Sequence, residues 1–558
     1  MSTIRPRRTV LALLPLLSVV AALSQAPATL PDRVRQAAEA ITADQLGRDL
    51  GYLASDALQG RNTPGATGGG IVDGTSPGFD AAATHIVKRL QAAGLTPMGD
   101  DGTFHQRYEL RESRVDTDAA AIEIDGRRFA FGDGFVMRSL ASPVSGTYPA
   151  VYVGHGWTVP DRGIDPYAGV DVRGKIVLAH GPRALPKGVE IRPLGRVTPG
   201  ATPVITEAHQ RGAVAVVILP QASVLQGWEE LRDQNLTRRE LEPWVPSAYA
   251  APPITSIMLA PPALEALFAG ERVAGAELLT RGDAQDYPAS FQLSKSMRLD
   301  IPASSTSYQP YNVVGGIEGN DPALRNEYIT IEAHLDGAVG TRAVDGDAIY
   351  NSADDNATGT AATLAIAERM IGVRPKRSLI FIWDSGEERG LWGTRHFVHR
   401  PPVPLERIVA HFNVDMIGAN RAPGSPDANS PDVTGPNEVY LIGPGVLSTA
   451  TDALLEATNR AYLNMTFNRR FDTPESEFFY PRTDAGPFLE RGILTIGFFT
   501  GLHSRYHQPD DDAEYLDPTK MEIIARTVFA SIWALADAAE RPRIDQPIPQ
   551  TVPRHSGR

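Results

Sequence analysis

The chain has 558 residues, of which 42% are hydrophobic and 21% are charged, and its formal net charge is -13. This length predicts more than one globular domain. The acidic balance argues against a protein that binds nucleic acid non-specifically, because that binding needs a basic surface. The sequence contains no cysteine, which excludes disulfide bonds, thiolate metal ligands and a cysteine nucleophile.

The N-terminal segment has the pattern of a secretory signal peptide. An arginine-rich start precedes an apolar run over residues 9–23, and small residues follow it. This run is shorter than the roughly 20 residues that a membrane-spanning helix needs. We therefore predict a signal peptide over residues 1–26 that is removed on export. The expected mature protein is periplasmic or secreted, without stable membrane insertion.

The next part of the chain reads as the start of a folded domain, over residues 40–135. Thr42 and Gln45 form a capping-box pattern that opens a helix. A second helix is predicted over residues 80–94, where apolar residues recur on one face and a glycine ends the pattern. A glycine-rich loop, residues 60–74, lies between the two helices.

The sequence pattern changes over residues 136–290. Short β-branched runs alternate with proline and glycine, and one helix is predicted over residues 206–213. We interpret this segment as a small mixed-β domain inserted into the first one.

Strands and helices alternate over residues 295–540. The predicted strands are Tyr328–Ala333, Ser378–Trp383, Ile408–Val414 and Ile493–Phe499, and the main predicted helices are Thr358–Met370 and Pro518–Ala539. Nearly continuous apolar strands indicate a sheet buried on both faces. The predicted fold class is therefore α/β, a mostly parallel mixed sheet with helices on both faces. Residues 541–558 are predicted to be a flexible tail.

Histidines and carboxylates cluster just after these strands, at the edge where open α/β sheets bind ligands. They are His334, Asp336, Asp354, Asp355, Asp384, Glu387, Glu388, Asp415 and His507. Two like charges about 4 Å apart repel by about 4 kcal/mol at an effective dielectric constant of about 20. Bound cations reverse the sign of that energy. With histidine and carboxylate ligands and no thiols, a pair of divalent ions is indicated, zinc first among them.

Five segments in order resemble the motifs of the co-catalytic zinc aminopeptidases: AHLDG, NSADDNATGTA, DSGEERGLWG, NVDMIG and YHQPDD. This superfamily includes bacterial leucyl aminopeptidases, glutamate carboxypeptidase, glutaminyl cyclase and the transferrin receptor. The glycine-rich loop is similar to the N-terminal loop of these enzymes. The segment DPYAGVDVRGKIVL resembles the protease-associated domain that many of them carry as an insertion.

The resemblance implies two Zn²⁺ ions per chain, peptide substrates and a set of metal ligands. His334 and Asp415 would bind one ion, Glu388 and His507 the other, and Asp355 would bridge both. Each ion then keeps a position for water or substrate, as catalytic zinc sites require.

The resemblance also implies roles for residues that are not ligands. Glu387 would be the general base that activates a water between the ions. Tyr506 would stabilise the oxyanion, and Asp336 would orient His334, with Asp511 in the same role for His507. The family often has a cis peptide bond after the bridging aspartate, and it commonly has glycine where this chain has Ser352.

Taken singly, each motif has a structural explanation, such as a helix cap for the Asp354–Asp355 pair. The five motifs together predict an exported aminopeptidase. A carboxypeptidase or dipeptidase remains an alternative, with Arg342, Arg389, Arg421 or Arg505 as the group that binds a free carboxylate. A glutaminyl cyclase-like acyltransferase and a receptor without activity are further alternatives. The sequence does not define the oligomeric state.

Overall fold

The computed structural model describes residues 30–63, 76–140, 143–181, 184–191, 198, 200–236, 240–243, 254–338, 340 and 342–552. The predicted signal peptide and most of the glycine-rich loop lie outside these residues. Within them, no helix is both long and apolar enough to cross a membrane.

The described residues from 30 onward begin with three α-helices and two short strands. These are α1 (Asp32–Glu39), α2 (Ala43–Leu53), α3 (Pro77–Ala93), β1 (Thr96–Pro97) and β2 (His105–Arg107). The predicted cap is present, since the Thr42 side chain accepts a hydrogen bond from the Gln45 amide. Gly94 ends α3 in the left-handed conformation, which glycine adopts without a Cβ penalty.

An inserted region follows and contains eleven strands and five helices in the described residues. In chain order they are β3 (Leu110–Val115), β4 (Ala121–Ile124), β5 (Arg127–Ala130), β6 (Phe135–Ser139), β7 (Val144–Tyr152), β8 (Ile176–His180), α4 (Val204–Gln210), β9 (Ala215–Leu219), α5 (Ala222–Gln226), α6 (Trp228–Leu236), β10 (Glu240–Pro243), β11 (Thr255–Leu259), α7 (Pro261–Phe268), α8 (Gly275–Asp283), β12 (Phe291–Ile301) and β13 (Ala303–Tyr308).

The third part returns to the first domain. Its elements are β14 (Tyr311–Ile317), β15 (Tyr328–Glu332), α9 (Gly359–Met370), β16 (Ser378–Trp383), α10 (Trp392–His399), β17 (Ile408–Val414), β18 (Glu438–Ile442), α11 (Pro444–Leu447), α12 (Thr449–Ala461), β19 (Thr466–Asn468), α13 (Ala485–Glu490), β20 (Leu494–Phe499) and α14 (Pro518–Asp537). The predicted strands and long helices are all present, with ends shifted by at most two residues.

The main sheet has the order β1-β14-β16-β15-β17-β20-β18-β19, with β2 also paired to β14. Its four central strands, β16, β15, β17 and β20, are parallel. Their neighbours β14 and β18 run antiparallel. Side chains of β16 alternate between two cores, with Phe381 and Trp383 on the side of α9 and α14, and Ile380 and Ile382 on the side of α10. This confirms the predicted α/β fold with helices on both faces.

The inserted region extends further in both directions than the predicted boundaries, residues 136–290. Its eight-stranded sheet has the order β5-β4-β12-β7-β8-β9-β11-β6, and a second sheet of three strands has the order β10-β3-β13. The hairpin β4–β5 and the long strand β12 therefore belong to the insert. Strand β12 pairs with β4 on one side and β7 on the other, and local sequence patterns do not reveal such long-range pairing.

Residues 541–558 are predicted to be a flexible tail. The structure describes this segment as far as residue 552 and places it in contact with the main domain. The Asp545 carboxylate accepts hydrogen bonds from the amides of Thr449 and Ala450 at the start of α12, where a helix favours negative charge. Arg541 pairs with Glu327 at 3.0 Å. These contacts hold this segment against the main domain.

Candidate metal centre

The parallel strands bring the predicted site residues to one edge of the main sheet. His334 stands two residues after the end of β15, and Asp415 directly follows β17. Glu387 and Glu388 lie in a short helical turn after β16. His507 lies in the loop after β20. Carboxyl ends of neighbouring parallel strands meet at one edge, so residues far apart in the sequence become neighbours.

Five side chains form two groups that share Asp355. Nε2 of His334 lies 3.1 Å from Oδ1 of Asp355 and 3.6 Å from Oδ1 of Asp415. Nε2 of His507 lies 3.0 Å from Oδ2 of Asp355 and 2.9 Å from Oε2 of Glu388. The two oxygens of Asp355 thus face one histidine each, which is the geometry a bridging carboxylate requires.

These separations fit ligand atoms around common ions. Two ligand atoms of a tetrahedral zinc ion, each about 2.1 Å from it, are about 3.4 Å apart. Nε2 of His334 and Nε2 of His507 are buried and have no hydrogen-bond partner, and the same holds for Oδ1 of Asp415 and Oε1 of Glu388. Buried polar atoms are normally paired. Nitrogen and oxygen atoms that converge without hydrogen bonds indicate a place for divalent cations such as zinc.

The pKa values of these residues also indicate that the site favours positive charge. Burial acts to raise the pKa of Asp355, but its contacts with both histidines lower that pKa below its ordinary value. Burial acts to lower the pKa of His507, yet Asp355 and Glu388 raise it to about 10. Burial, followed by the charge of Asp355, raises the pKa of Glu388 to about 7. The carboxylates around the two histidines therefore favour positive charge at this site, which divalent cations would supply.

Glu387 lies beside these groups but belongs to neither of them. It lines the cavity together with Asp355 and Asp415. Its backbone N–H donates to Oδ1 of Asp336 at 3.3 Å. Burial raises the pKa of Glu387 well above its ordinary value, and the charges of Asp484, Glu388 and Asp355 act in the same direction. A carboxyl group with a raised pKa can both accept and return a proton near neutral pH.

Asp336 contacts His334 through its backbone. Nδ1 of His334 lies 3.0 Å from the carbonyl oxygen of Asp336, whereas the nearer carboxylate oxygen is 3.9 Å away. The carbonyl accepts the Nδ1 proton, which leaves Nε2 free to bind metal. The Asp336 carboxylate instead accepts from the Thr63 hydroxyl at 2.7 Å and from the Glu387 amide. Asp336 is thus placed to orient His334 through its carbonyl oxygen.

Asp511 contacts the backbone of Asp354 and Asp355. The predicted contact between Asp511 and His507 is therefore wrong. The Asp511 carboxylate accepts hydrogen bonds from the amides of Asp354 and Asp355 at 3.1–3.2 Å. It also lies 3.8 Å from Nε2 of His503. Asp511 therefore holds the segment that carries Asp355.

The predicted cis peptide bond is present between Asp355 and Asn356. Ser352, where the family commonly has glycine, adopts a left-handed conformation with φ 49°. Its hydroxyl accepts a hydrogen bond from the Ala338 amide at 2.9 Å, so the side chain has a partner that helps to offset this strain.

Tyr506 is half-buried at the wall of the cavity. Its ring stacks on His507 with 3.7 Å between centroids, and its hydroxyl accepts a hydrogen bond from Arg482. Burial, and then the charges of Asp355 and Glu388, raise the pKa of Tyr506. The hydroxyl therefore keeps its proton and can donate it in a hydrogen bond to an oxygen in the cavity.

A cavity lies next to the two groups. Its walls combine a few polar groups with many apolar side chains, among them Met416, Ile442, Phe478, Phe479, Phe498, Phe499 and Leu502. Arg482 also lines it. This composition fits a site that holds an apolar side chain next to reactive polar groups.

Sequence reasoning missed a second carboxylate cluster behind the first. One oxygen from each of Glu332, Asp384 and Asp484 lies within 4.8 Å of the others. The Thr394 hydroxyl contacts both Asp384 and Asp484. Asp384 is among the residues predicted at the sheet edge. Asp484 lies at the start of α13, and no local pattern links it to the other two.

Comparisons with known proteins agree with the motif resemblance. The sequence model of peptidase family M28 matches residues 312–532. An aminopeptidase of Pseudomonas aeruginosa strain UCBPP-PA14 is 29% identical over 194 residues, which cover 35% of this chain and 31% of that protein. Aminopeptidase YwaD of Bacillus subtilis strain 168 is 25% identical over 198 residues, covering 34% of this chain and 39% of that protein. Residues 312–532 are therefore similar in sequence to peptidase family M28.

The chain matches about a third of the length of these two relatives. Among solved structures, it is similar to an aminopeptidase from Aneurinibacillus sp. strain AM-1, with 17% identity and a TM-score of 0.49. That alignment covers 94% of this chain and 100% of the other.

Proposed function

We propose that the protein is a zinc-dependent aminopeptidase that hydrolyses the N-terminal bond of peptides. The observation that carries this proposal is the pair of ligand groups that share Asp355, with Glu387 beside them and an apolar cavity in front of them. The match of residues 312–532 to peptidase family M28 supports it.

The chain's own residues supply the remaining parts of the reaction. The apolar cavity holds the first side chain of the peptide, and the carboxylates that line it attract the free amino group. Glu387 accepts a proton from the attacking water and returns it to the nitrogen of the leaving peptide. Tyr506 donates a hydrogen bond to the carbonyl oxygen as negative charge develops there. Zinc, when bound, supplies Lewis-acid polarisation of the carbonyl and of water.

A panel of matched peptides tests this proposal. We expect cleavage of peptides that have an apolar first residue, with either a free or an amidated C-terminus, and no cleavage of their N-acetylated forms. Chelation should abolish cleavage, and added zinc should restore it. Cleavage of N-acetylated peptides would contradict the proposed end preference, and full activity after chelation would contradict the metal dependence.

Cleavage from the carboxyl end is a second candidate because one cation lines the cavity. None of the four arginines predicted for this role is among the lining residues that the structure describes. Arg505 pairs with Asp427 at 2.8 Å, for example. Arg482 does line the cavity, and a guanidinium group can bind a free carboxylate. Loss of cleavage on C-terminal amidation, together with cleavage of N-acetylated peptides, would favour this candidate.

We further propose two zinc ions per chain, because each histidine has its own carboxylate in addition to the shared Asp355. Metal analysis of the purified protein should find two ions. A single ion would instead favour an acyltransferase of the glutaminyl cyclase type.

The remaining expectations from the sequence stay proposals. We propose that peptides are its substrates, and that the protein is exported to the periplasm or the medium after signal cleavage. We also propose that the insert is a protease-associated domain. The insert begins next to the main sheet, since Tyr108 just before it donates a hydrogen bond to the Ser385 carbonyl at 3.1 Å. This position would allow it to narrow the route to the site. N-terminal sequencing of the mature protein tests the signal cleavage.

A further inference from the structure

Arg61, in the glycine-rich N-terminal motif, is a fully buried cation whose hydrogen bonds all go to backbone carbonyls. It is 0% exposed. Its Nε donates to Leu335 at 3.0 Å, Nη1 to Asn351 at 2.9 Å and Nη2 to Ser352 at 2.8 Å. Nη1 also donates to the carbonyl of Leu53 at the end of α2. One guanidinium group thus joins three segments of the chain.

Two of these segments carry metal-ligand candidates. Leu335 directly follows His334, and Ser352 stands three residues before Asp355. Nε2 of His334 and Oδ1 of Asp355 are the atoms that approach to 3.1 Å. The Arg61 side chain therefore spans the two loops whose separation decides whether His334 and Asp355 can share an ion.

The backbone that presents Arg61 is unusual. Gln59, Gly60 and Arg61 are all left-handed, with φ of 48°, 74° and 53°. A Cβ atom on Gly60 would lie 2.3 Å from the carbonyl oxygen of Tyr350. Non-glycine residues in this conformation are strained and persist where the surroundings hold them in place. The chain maintains this strain at the point where the guanidinium enters the site.

Because Arg61 donates its hydrogen bonds to backbone carbonyls, the carboxylates of the site remain available to bind an ion. Burial lowers the pKa of Arg61 to about 10, while the charges of Asp336, Asp511 and Asp355 act in the opposite direction. The group is therefore charged at neutral pH and offsets part of the negative charge around it. Because its described hydrogen bonds go to carbonyls, it does not occupy the oxygens that face His334 and His507.

We propose that Arg61 is a positioning residue that sets the separation of the His334 and Asp355 loops and thereby the affinity for the ion between them. The inference rests on the proposed metal-dependent function. It adds a role for the glycine-rich motif, which contributes none of the predicted ligands.

The test compares Arg61→Lys with a matched variant, Arg377→Lys. Arg377 is also 0% exposed and donates to the carbonyls of Ala538 and Glu540 and to Glu327, but it stands at the opposite end of the sheet, before β16. Zinc affinity is measured by competition with a chromophoric chelator, and site geometry by the visible absorption spectrum of the cobalt-substituted full chain. Thermal unfolding reports stability.

Groups that orient metal ligands typically change metal affinity by about 10–100-fold. Arg61→Lys should bind zinc at least about 10-fold more weakly than the parent chain and should change the cobalt spectrum. Arg377→Lys should lower the melting temperature but keep the affinity and the spectrum of the parent chain. Equal affinity of Arg61→Lys and the parent, or equal losses in both variants, would overturn the proposal.

A second variant tests the proposal even if Arg61→Lys does not fold. Gly60→Ala keeps the guanidinium but displaces its backbone from Tyr350, and it should weaken zinc binding in the same direction. Unchanged zinc binding in this variant, together with a shifted Arg61 backbone, would overturn the proposal. Failure of the parent chain to bind zinc would contradict the proposed function itself, whereas equal binding by parent and variants would contradict this inference alone.

Discussion

The main sheet and the sheet of the insert both contain four consecutive parallel strands, yet their carboxyl edges differ in chemistry. In the main domain, histidines and carboxylates follow the strands. In the insert, the residues directly after β8, β9 and β11 are Gly181, Pro220 and Ala260. Among the described residues, every cluster that could hold a metal ion lies in the main domain. The same strand geometry thus provides a place for a site, and the residues after each strand decide whether chemistry occurs there.

Two pairs of histidines show the same contrast. His334 and His507 have raised pKa values because carboxylates outweigh the effect of burial. His155 and His180 in the insert have pKa values lowered to about 4, chiefly by burial. Tyr152 contacts Nε2 of His180 at 3.1 Å, and this partner carries no charge. Carboxylates thus favour the protonated form of His334 and His507, whereas burial favours the neutral form of His155 and His180.

The largest expected effect is a loss of activity that occurs at the carboxyl edge of the main sheet but not at that of the insert. Glu387→Gln removes the proposed proton acceptor, and kcat should fall by about 10³-fold or more. Zinc content should not change, because Glu387 belongs to neither ligand group. The matched control is Glu230→Gln in the groove at the insert edge, which should keep full activity. Turnover by Glu387→Gln at the parental rate would contradict the assignment of the base.

A smaller loss is expected for Tyr506→Phe. This variant keeps the ring that stacks on His507 but removes the hydroxyl, and loss of one donor to a developing oxyanion costs about 10²-fold in kcat. KM should change little, because the contact strengthens only in the transition state. Tyr148→Phe in the insert, where the hydroxyl donates to the Ser145 carbonyl, is the control for the general effect of removing a phenol. A parental kcat in Tyr506→Phe would exclude the proposed role.

The last expected effect concerns stability rather than activity. In the unfolded chain His180 takes up a proton near pH 6.5, but in the folded chain only near pH 4. Between these values the unfolded state binds more protons, so stability falls as the pH falls, by up to about 3 kcal/mol. Thermal unfolding of the full chain at pH 7 and 4.5 should show a smaller loss for His180→Gln than for the parent. The exposed His209→Gln should behave like the parent, and an unchanged pH dependence in His180→Gln would refute the prediction.

Local sequence patterns predicted much of the main domain. Apolar runs such as Ser378–Trp383 are strands because both of their faces are buried, and this requirement is visible in the run itself. The histidines and carboxylates after these strands were therefore predictable as neighbours. The resemblance to a known family then assigned them separate roles, and the structure places the five ligand candidates together.

The sequence by itself determined the helices and strands of the main domain and the residues available at its carboxyl edge, because periodicity and strand ends are local properties of a chain. Only the tertiary structure decided that β4, β5 and β12 join the insert, that Asp336 meets His334 through a carbonyl, and that Asp511 holds the backbone before Asp355. It also decided the contacts of Arg61. These features depend on strand pairing and loop packing between residues far apart in the sequence, which no local pattern encodes.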